Sequence, residues 1–389
     1  MKRNLIVAGL VGISLLLLAA IYVSPIWWVS LTAPNYPPEA FPDGVRIEFH
    51  MNGVFNGCRK VDNVEIQEDE ALDCVHEMDT INHYVGMYPI AAGGPIERAF
   101  SQFLVPFLGV MLIGFVITLP GLRTLVMGAG FAAILVMMYL TIYADDGFKL
   151  ENKGYVSALL TALDQDAGSD NGKAEPESGV VAALKRSLRE SGVEMEGAES
   201  EQTAATSEKE RLVEELRITF ERDQQNTGRN EPWNGSTFQV LTWHYGKNLG
   251  RYFNNPAEIE PMVETLKIAT HVVFGGMVAA MLLLLVAARR TGGLFYWLLV
   301  LVPIALPVFF LVDYAAWLWF FGHNLNSMGA FTVKPFMPTV FGQGKVAQFA
   351  THSYPSIGFG LMMLMSLLLG IAAITRKRQL QEQGDQALR

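Results

Sequence analysis

Six stretches of the chain, 4–23, 103–122, 124–143, 268–288, 294–312 and 356–375, stay apolar over close to the 20 or so residues that a helix needs to cross the hydrocarbon core of a bilayer. Between them the pattern changes. Val45-Arg46-Ile47-Glu48-Phe49-His50-Met51 alternates apolar with polar residues for most of its length and stops at Asn52-Gly53, which predicts a strand and a turn. Val61 to Ile66 offers a second short strand. Ala33-Pro34-Asn35-Tyr36-Pro37-Pro38 excludes helix, because each proline biases the residue before it toward extended backbone. Ala91-Ala92-Gly93-Gly94-Pro95 leads flexibly into the second span, and Pro120-Gly121 makes a tight turn into the third.

The first apolar run follows Met1-Lys2-Arg3 and so resembles a secretory signal. Leu5 to Val23 is longer than a signal-peptide core of roughly 7 to 15 residues, and no small-x-small cleavage site follows, so a retained anchor is expected. The expected division is then 1–23, transmembrane helix 1 as signal anchor; 24–102, an exoplasmic domain; 103–143, helices 2 and 3; 144–267, an exoplasmic segment; 268–312, helices 4 and 5; 313–355, an exoplasmic loop rich in aromatics, Gly and Pro; and 356–389, helix 6 with a cytoplasmic tail. Pro25-Ile26-Trp27-Trp28 puts an aromatic pair where a membrane interface holds one.

Charge sets the orientation. Lys2 and Arg3, Arg123, Arg289 and Arg290, and Arg376, Lys377 and Arg378 all fall on one side of a six-span arrangement, so both termini are expected to be cytoplasmic. Cys58 and Cys74, the only two cysteines, then lie together in the first exoplasmic segment, where a disulfide is the default and a Cys/Cys metal site lacks further thiols. The fold class expected is an α-helical integral membrane protein with about six transmembrane helices and a small disulfide-stapled exoplasmic domain of mixed or β character. The net charge of −9 rests mostly on exoplasmic loops and argues against nucleic acid as a partner.

Segment 164–210 is rich in Asp, Glu, Ser, Gly and Ala and lacks aromatics, the composition of a disordered or loosely helical acidic insertion. At its end Ser207-Glu208-Lys209-Glu210 reads as a capping box opening a helix to about Asp223, with Leu212, Val213, Leu216 and Phe220 on one face. Order is expected again from Trp233. His244 follows near the membrane, and His271 falls in the first turn of helix 4.

Candidate chemistry gathers in Val75 to Met87, which holds His76, Met78, His83 and Met87 within thirteen residues of sequence. Imidazole with thioether is a soft ligand set suited to copper, above all Cu(I). Ordinary core packing by methionine is the competing account. His50 and Met51 add a third pair to the same domain, and His323, Met328 and His352 in segment 313–355 are second-site candidates near the same membrane face. The density of Gly, Pro, Asn and His there predicts a fixed irregular loop of the kind that carries function.

Other chemistries lack their residues. No Cys-x-x-Cys-His occurs, and among the histidines only His271 lies in a span, so no haem is expected. Walker A, Gly-x-Ser-x-Gly and His-Glu-x-x-His patterns are missing, and a non-enzymatic role is expected. The spans carry almost no charge, which weakens an ion-coupled or small-solute transporter.

Ala33-Pro34-Asn35-Tyr36-Pro37 with Asn82-His83-Tyr84-Val85-Gly86-Met87, and Gly322-His323-Asn324-Leu325 with Pro335-Phe336-Met337-Pro338 and Ser353-Tyr354-Pro355, resemble an uncharacterised polytopic membrane protein family encoded in nitrous oxide reductase gene clusters. The resemblance covers about half the chain, and the acidic insertion departs from it. It implies a multi-pass protein of the bacterial inner membrane with a periplasmic face, acting in copper-site assembly or electron supply for a periplasmic copper enzyme or its chaperone. Two functions compete on these grounds. One is copper binding or delivery through His83, Met87, His76, Met78, His50 and Met51; the other is a membrane scaffold or electron-transfer subunit that docks a periplasmic partner without metal.

Overall fold

The computed structural model of the protein describes residues 2–61, 72–167, 201–287, 289, 291–331, 333–346 and 348–387. It divides into two units, residues 1–158 with 234–389, and residues 159–233. In chain order the first unit contains α1 (Lys2–Val23), β1 (Trp27–Thr32), β2 (Val45–His50), β3 (Gly53–Asn56), α2 (Cys74–Tyr84), α3 (Pro95–Val116), α4 (Pro120–Ile142) and the start of α5 (Lys153–Ala167). The second unit holds the rest of α5 and α6 (Glu201–Thr227). The chain returns to the first with α7 (Thr237–Leu249), α8 (Pro256–Ala287), α9 (Leu294–Ile304), α10 (Leu306–His323), β4 (Gly342–Val346), β5 (Phe349–Pro355) and α11 (Ile357–Ala387).

Six helices, α1, α3, α4, α8, α10 and α11, are long and apolar enough to cross a membrane. Their ends differ from the hydropathy boundaries for local backbone reasons. Gly94 takes the left-handed conformation and Pro95 occupies the first turn, so α3 begins eight positions before the expected 103. It stops at Val116 because Ile117 and Leu119 are extended ahead of Pro120. The fifth apolar run is cut in two: Pro303 and Pro307 flank Ala305, separating α9 from α10. The span is therefore Leu306–His323, which takes Asp313 and the aromatics after it into a helix instead of the predicted loop. Likewise α8 starts at Pro256, so His271 lies well inside it, where Tyr143 Oη meets its Nδ1 at 2.7 Å.

The arginines expected in solvated turns are folded in. Arg123 and Arg376 expose 0% and 1% of their surface. Arg123 donates through Nε and Nη2 to the Ile117 carbonyl at 2.9 and 2.7 Å, and Arg376 donates through Nη2 to the Val116 carbonyl at 2.9 Å. The last carbonyls of α3 have no partner within their own helix, and the two guanidinium groups supply one while countering the negative end of its dipole. Arg376 Nη1 also donates to Asn4 Oδ1 at 2.7 Å, which ties α11 to the start of α1.

At the other end of the bundle the strands form one antiparallel sheet in the order β3-β2-β1-β5-β4. Register decides its faces, because residues directly opposite in an antiparallel pair point the same way. Trp27, Val29 and Leu31 of β1 share a face with Val45 and Ile47 of β2, and all five are buried. The Trp27 ring lies 5.7 Å from Tyr314 and 5.4 Å from Phe359, and its Nε1 donates to Ser353 Oγ at 2.8 Å. The tryptophan read from sequence as an interfacial anchor is thus a fully covered core ring, a kind of burial worth about 3–5 kcal/mol.

The strand predicted at 45–51 is present as β2, and the turn predicted at Asn52-Gly53 falls one residue earlier, at Met51-Asn52, with Gly53 opening β3 opposite His50. Most of the strand predicted from Val61 to Ile66 lies outside the described residues, as do positions 168–200 of the acidic segment. The predicted loop at 313–355 supplies not only α10 but the β4–β5 hairpin, which pairs along β1. In the second unit α6 begins at Glu201, ahead of the Ser207 capping box; Val213, Leu216 and Phe220 are buried, with Phe220 against Trp233 at 5.3 Å.

Candidate functional site

The His/Met segment is a short helix with a firm start. Asp73 caps α2, its Oδ1 accepting from the amides of Val75 and His76 at 3.0 and 3.2 Å. Cys74 in the first turn is joined to Cys58 by a disulfide, and Asn56 Oδ1 at the end of β3 accepts from the amides of both cysteines, at 3.0 and 3.2 Å. The expected staple is therefore formed, and it fastens α2 to the sheet.

Helical spacing puts His76, Asp79 and His83 on one side of α2. That side meets the residues just after α7. Arg251 Nη2 donates to His76 Nδ1 at 3.1 Å, and Arg251 Nη1 lies 4.0 Å from Asp79 Oδ2, with the two side chains 3% and 0% exposed. Asp79 Oδ1 accepts from the Ile90 amide at 2.7 Å, yet burial outweighs both partners and pushes the carboxyl up to about 7. His83 stacks on Tyr252 with ring centroids 4.6 Å apart and 9° between planes; its Nδ1 is buried with no hydrogen-bond partner.

The other predicted ligands go to separate places. Met78 and Met87 are core residues at 3% and 5% exposure. His50 packs edge-on against Phe55 at 4.9 Å, and burial lowers its pKa. Met51 sits in the turn after it. His323 stacks on Trp319 at 4.6 Å and donates through Nδ1 to the Trp319 carbonyl at 2.9 Å, while Met328 is 62% exposed. His352 lies in β5 opposite Ser30. Among the described residues no three His, Cys, Asp or Glu side chains come together as a metal-holding group. The two predicted segments do meet through backbone: Asn326 N donates to the Gly86 carbonyl at 2.8 Å and Phe331 N to that of Tyr84 at 2.9 Å. Gly86 has φ +81°, and a Cβ there would press on the Asn326 carbonyl oxygen at 2.5 Å, so glycine is what permits the contact.

A different site lies on the outward face of the sheet. Register aligns Arg46, Ser30, His352 and Gln343 in one row across four strands, with Lys345 opposite Ala350 in an adjacent row. The segment from Ala33 to Gly44 folds over part of this face, leaving a cleft of about 570 Å³ lined by Trp28, Tyr36 and Phe41 and by Arg46, Lys345 and His352. Tyr36 Oη donates to Glu77 Oε2 at 3.0 Å and its ring meets Phe41 at 5.1 Å, which braces the wall against α2. The Arg46 guanidinium lies 4.6 Å over the Trp28 ring and donates to Glu48 at 3.0 Å.

Sequence reasoning passed over Asp79, Arg251, Tyr252, Trp28, Arg46 and Lys345. The alternation of Trp27 to Thr32 was the available sign for β1, and the spacing of His76, Asp79 and His83 was the sign for the shared helix side. No family model matches the chain, and neither curated proteins nor solved structures give a match.

Proposed function

We propose that the protein is a multi-pass membrane scaffold whose sheet-based outer cap docks a soluble partner, with the cap on the periplasmic side of a bacterial inner membrane and both termini in the cytoplasm. One observation carries this reading: the braced cleft of about 570 Å³ on the solvent side of a sheet whose strands come from both ends of the chain. A preformed concave surface on rigid elements is where a binding site is expected. Accessory work in maturing a copper enzyme such as nitrous oxide reductase is compatible with this arrangement.

Copper binding is the second reading, favoured by the buried, unpartnered Nδ1 of His83 in the segment that also holds Met78 and Met87. One experiment separates the two. A photo-crosslinking residue at Gln348, on the cleft rim, is used in cells grown with and without a copper chelator and in the His83→Ala background. Docking predicts a discrete adduct that persists in all three. Loss of the adduct both on chelation and in His83→Ala transfers the role to copper, and absence of any adduct removes docking through this cleft.

A further inference from the structure

From the composition of the cleft we infer that it takes an extended acidic segment of polypeptide, a conclusion that rests on the docking reading and names the chemistry of the partner. The chain as a whole carries −9, yet this surface is locally basic. Its one lining carboxylate, Asp43, is held by Arg59 at 2.7 Å. Arg46 gives one donor to Glu48, and its Nε is buried with no hydrogen-bond partner. Among the described residues Lys345, exposed on β4, has no ion pair, and neither has His352. The cleft therefore offers Lys345 as a cation without an ion pair among the described residues, beside an Arg46 shared with Glu48.

Spacing argues for a chain. Arg46 and His352 are two strands apart, so their backbones are separated by roughly 10 Å, at about 4.8 Å per strand. An extended peptide advances about 3.3 Å per residue, so carboxylates three residues apart match that interval. Trp28, Tyr36, Phe41, Pro34 and Pro38 line the same cleft with apolar surface that has few donors of its own, the kind of flank on which an extended, proline-containing backbone lies. The face of the sheet runs on past the row to Lys345, which gives the chain a direction beyond a single small anion.

The test uses the full-length protein in detergent and a fluorescein-labelled octapeptide with Glu at every third position and Pro between, followed by anisotropy. The same peptide with Gln for Glu is the charge control, and free glutamate is the small-anion competitor. The Glu/Pro peptide is expected to bind at least about tenfold more tightly than the Gln/Pro peptide, and to weaken as salt rises. Lys345→Glu, at an exposed position, is expected to lose about tenfold in affinity with an unchanged melting temperature. Equal binding of the two peptides, or wild-type affinity in a folded Lys345→Glu, overturns the proposal; full displacement by free glutamate at matched carboxylate concentration replaces it with a small-anion site. A Gln348 crosslink that survives Lys345→Glu while the Glu/Pro peptide fails to bind keeps the docking reading and discards the acidic segment. Loss of both discards the two together.

Discussion

Asp79 has no exposed surface, and its second oxygen has only the Arg251 guanidinium, 4.0 Å away, to offset the water it gives up. Burial raises the carboxyl from an ordinary 3.8 to about 7, against the pull of the Ile90 amide and Arg251 and with a small push from Asp73. The folded protein then holds a proton that the unfolded chain has already released, so Asp79 makes stability fall as pH rises from about 4 to about 7 and adds no further slope above that. His50 works in the opposite sense: its lowered pKa costs stability as pH falls through its ordinary value of 6.5. The readout is therefore a comparison of melting temperatures for wild type and Asp79→Asn between pH 4 and 8. The wild type is expected to lose several degrees relative to the variant across that range, and parallel curves refute the assignment. At this scale the sequence singled out a segment by its donor atoms and did not show how they are arranged. The donors that drew notice in Val75 to Met87 are divided between a core face, with Met78 and Met87, and a polar face whose partners, Arg251 and Tyr252, are about 170 residues away along the chain. No local pattern announces a partner at that distance.

Among the elements, α2 depends most on a covalent link. The Cys58–Cys74 bridge closes a separation of 16 residues, a loop whose constraint is worth about 3 kcal/mol. Cys58→Ser/Cys74→Ser is expected to lower the unfolding free energy of the cap by about that amount, measured by denaturant titration with tryptophan fluorescence. Reductant is expected to reproduce the effect in wild type and leave the double variant unchanged. The staple was legible because both thiols fall in the one segment between the first two apolar runs. β2 and its turn were legible because alternation and Asn52-Gly53 are local signals. β1 was hidden beneath its own aromatic content: Trp27-Trp28 beside an apolar run reads as an interface anchor unless its antiparallel partners are known. The β4–β5 hairpin was hidden by Gly342 and Gly344, which weaken any strand pattern yet serve here beside a neighbouring strand. Helix ends were missed wherever proline, and not hydropathy, set them, as at Pro95 and between Pro303 and Pro307.

For the whole molecule, six crossings by the six long apolar helices would put the two termini on one side of a bilayer and the sheet on the other. Reporter fusions make this testable: a fluorescent protein that matures only in the cytoplasm is expected to shine at either terminus, and alkaline phosphatase is expected to be active when inserted at Gln348. Opposite signals from the two termini would break the six-span reading. The number of spans was legible because hydropathy over about 20 residues is a strong signal that needs no partner. The cleft was not, because it exists only once β1, β2, β4 and β5 stand side by side, and its polar lining is spread from Arg46 to His352.

The sheet also imposes an order of events on biosynthesis. Trp27 leaves the ribosome 326 residues ahead of its partner Ser353. At the usual 5 to 20 residues per second the inner edge of β1 waits roughly half a minute for β5. Through that interval the nascent cap has one side of its central strand bare, a natural handle for a chaperone. A chain that stops before β5 leaves that edge of β1 bare.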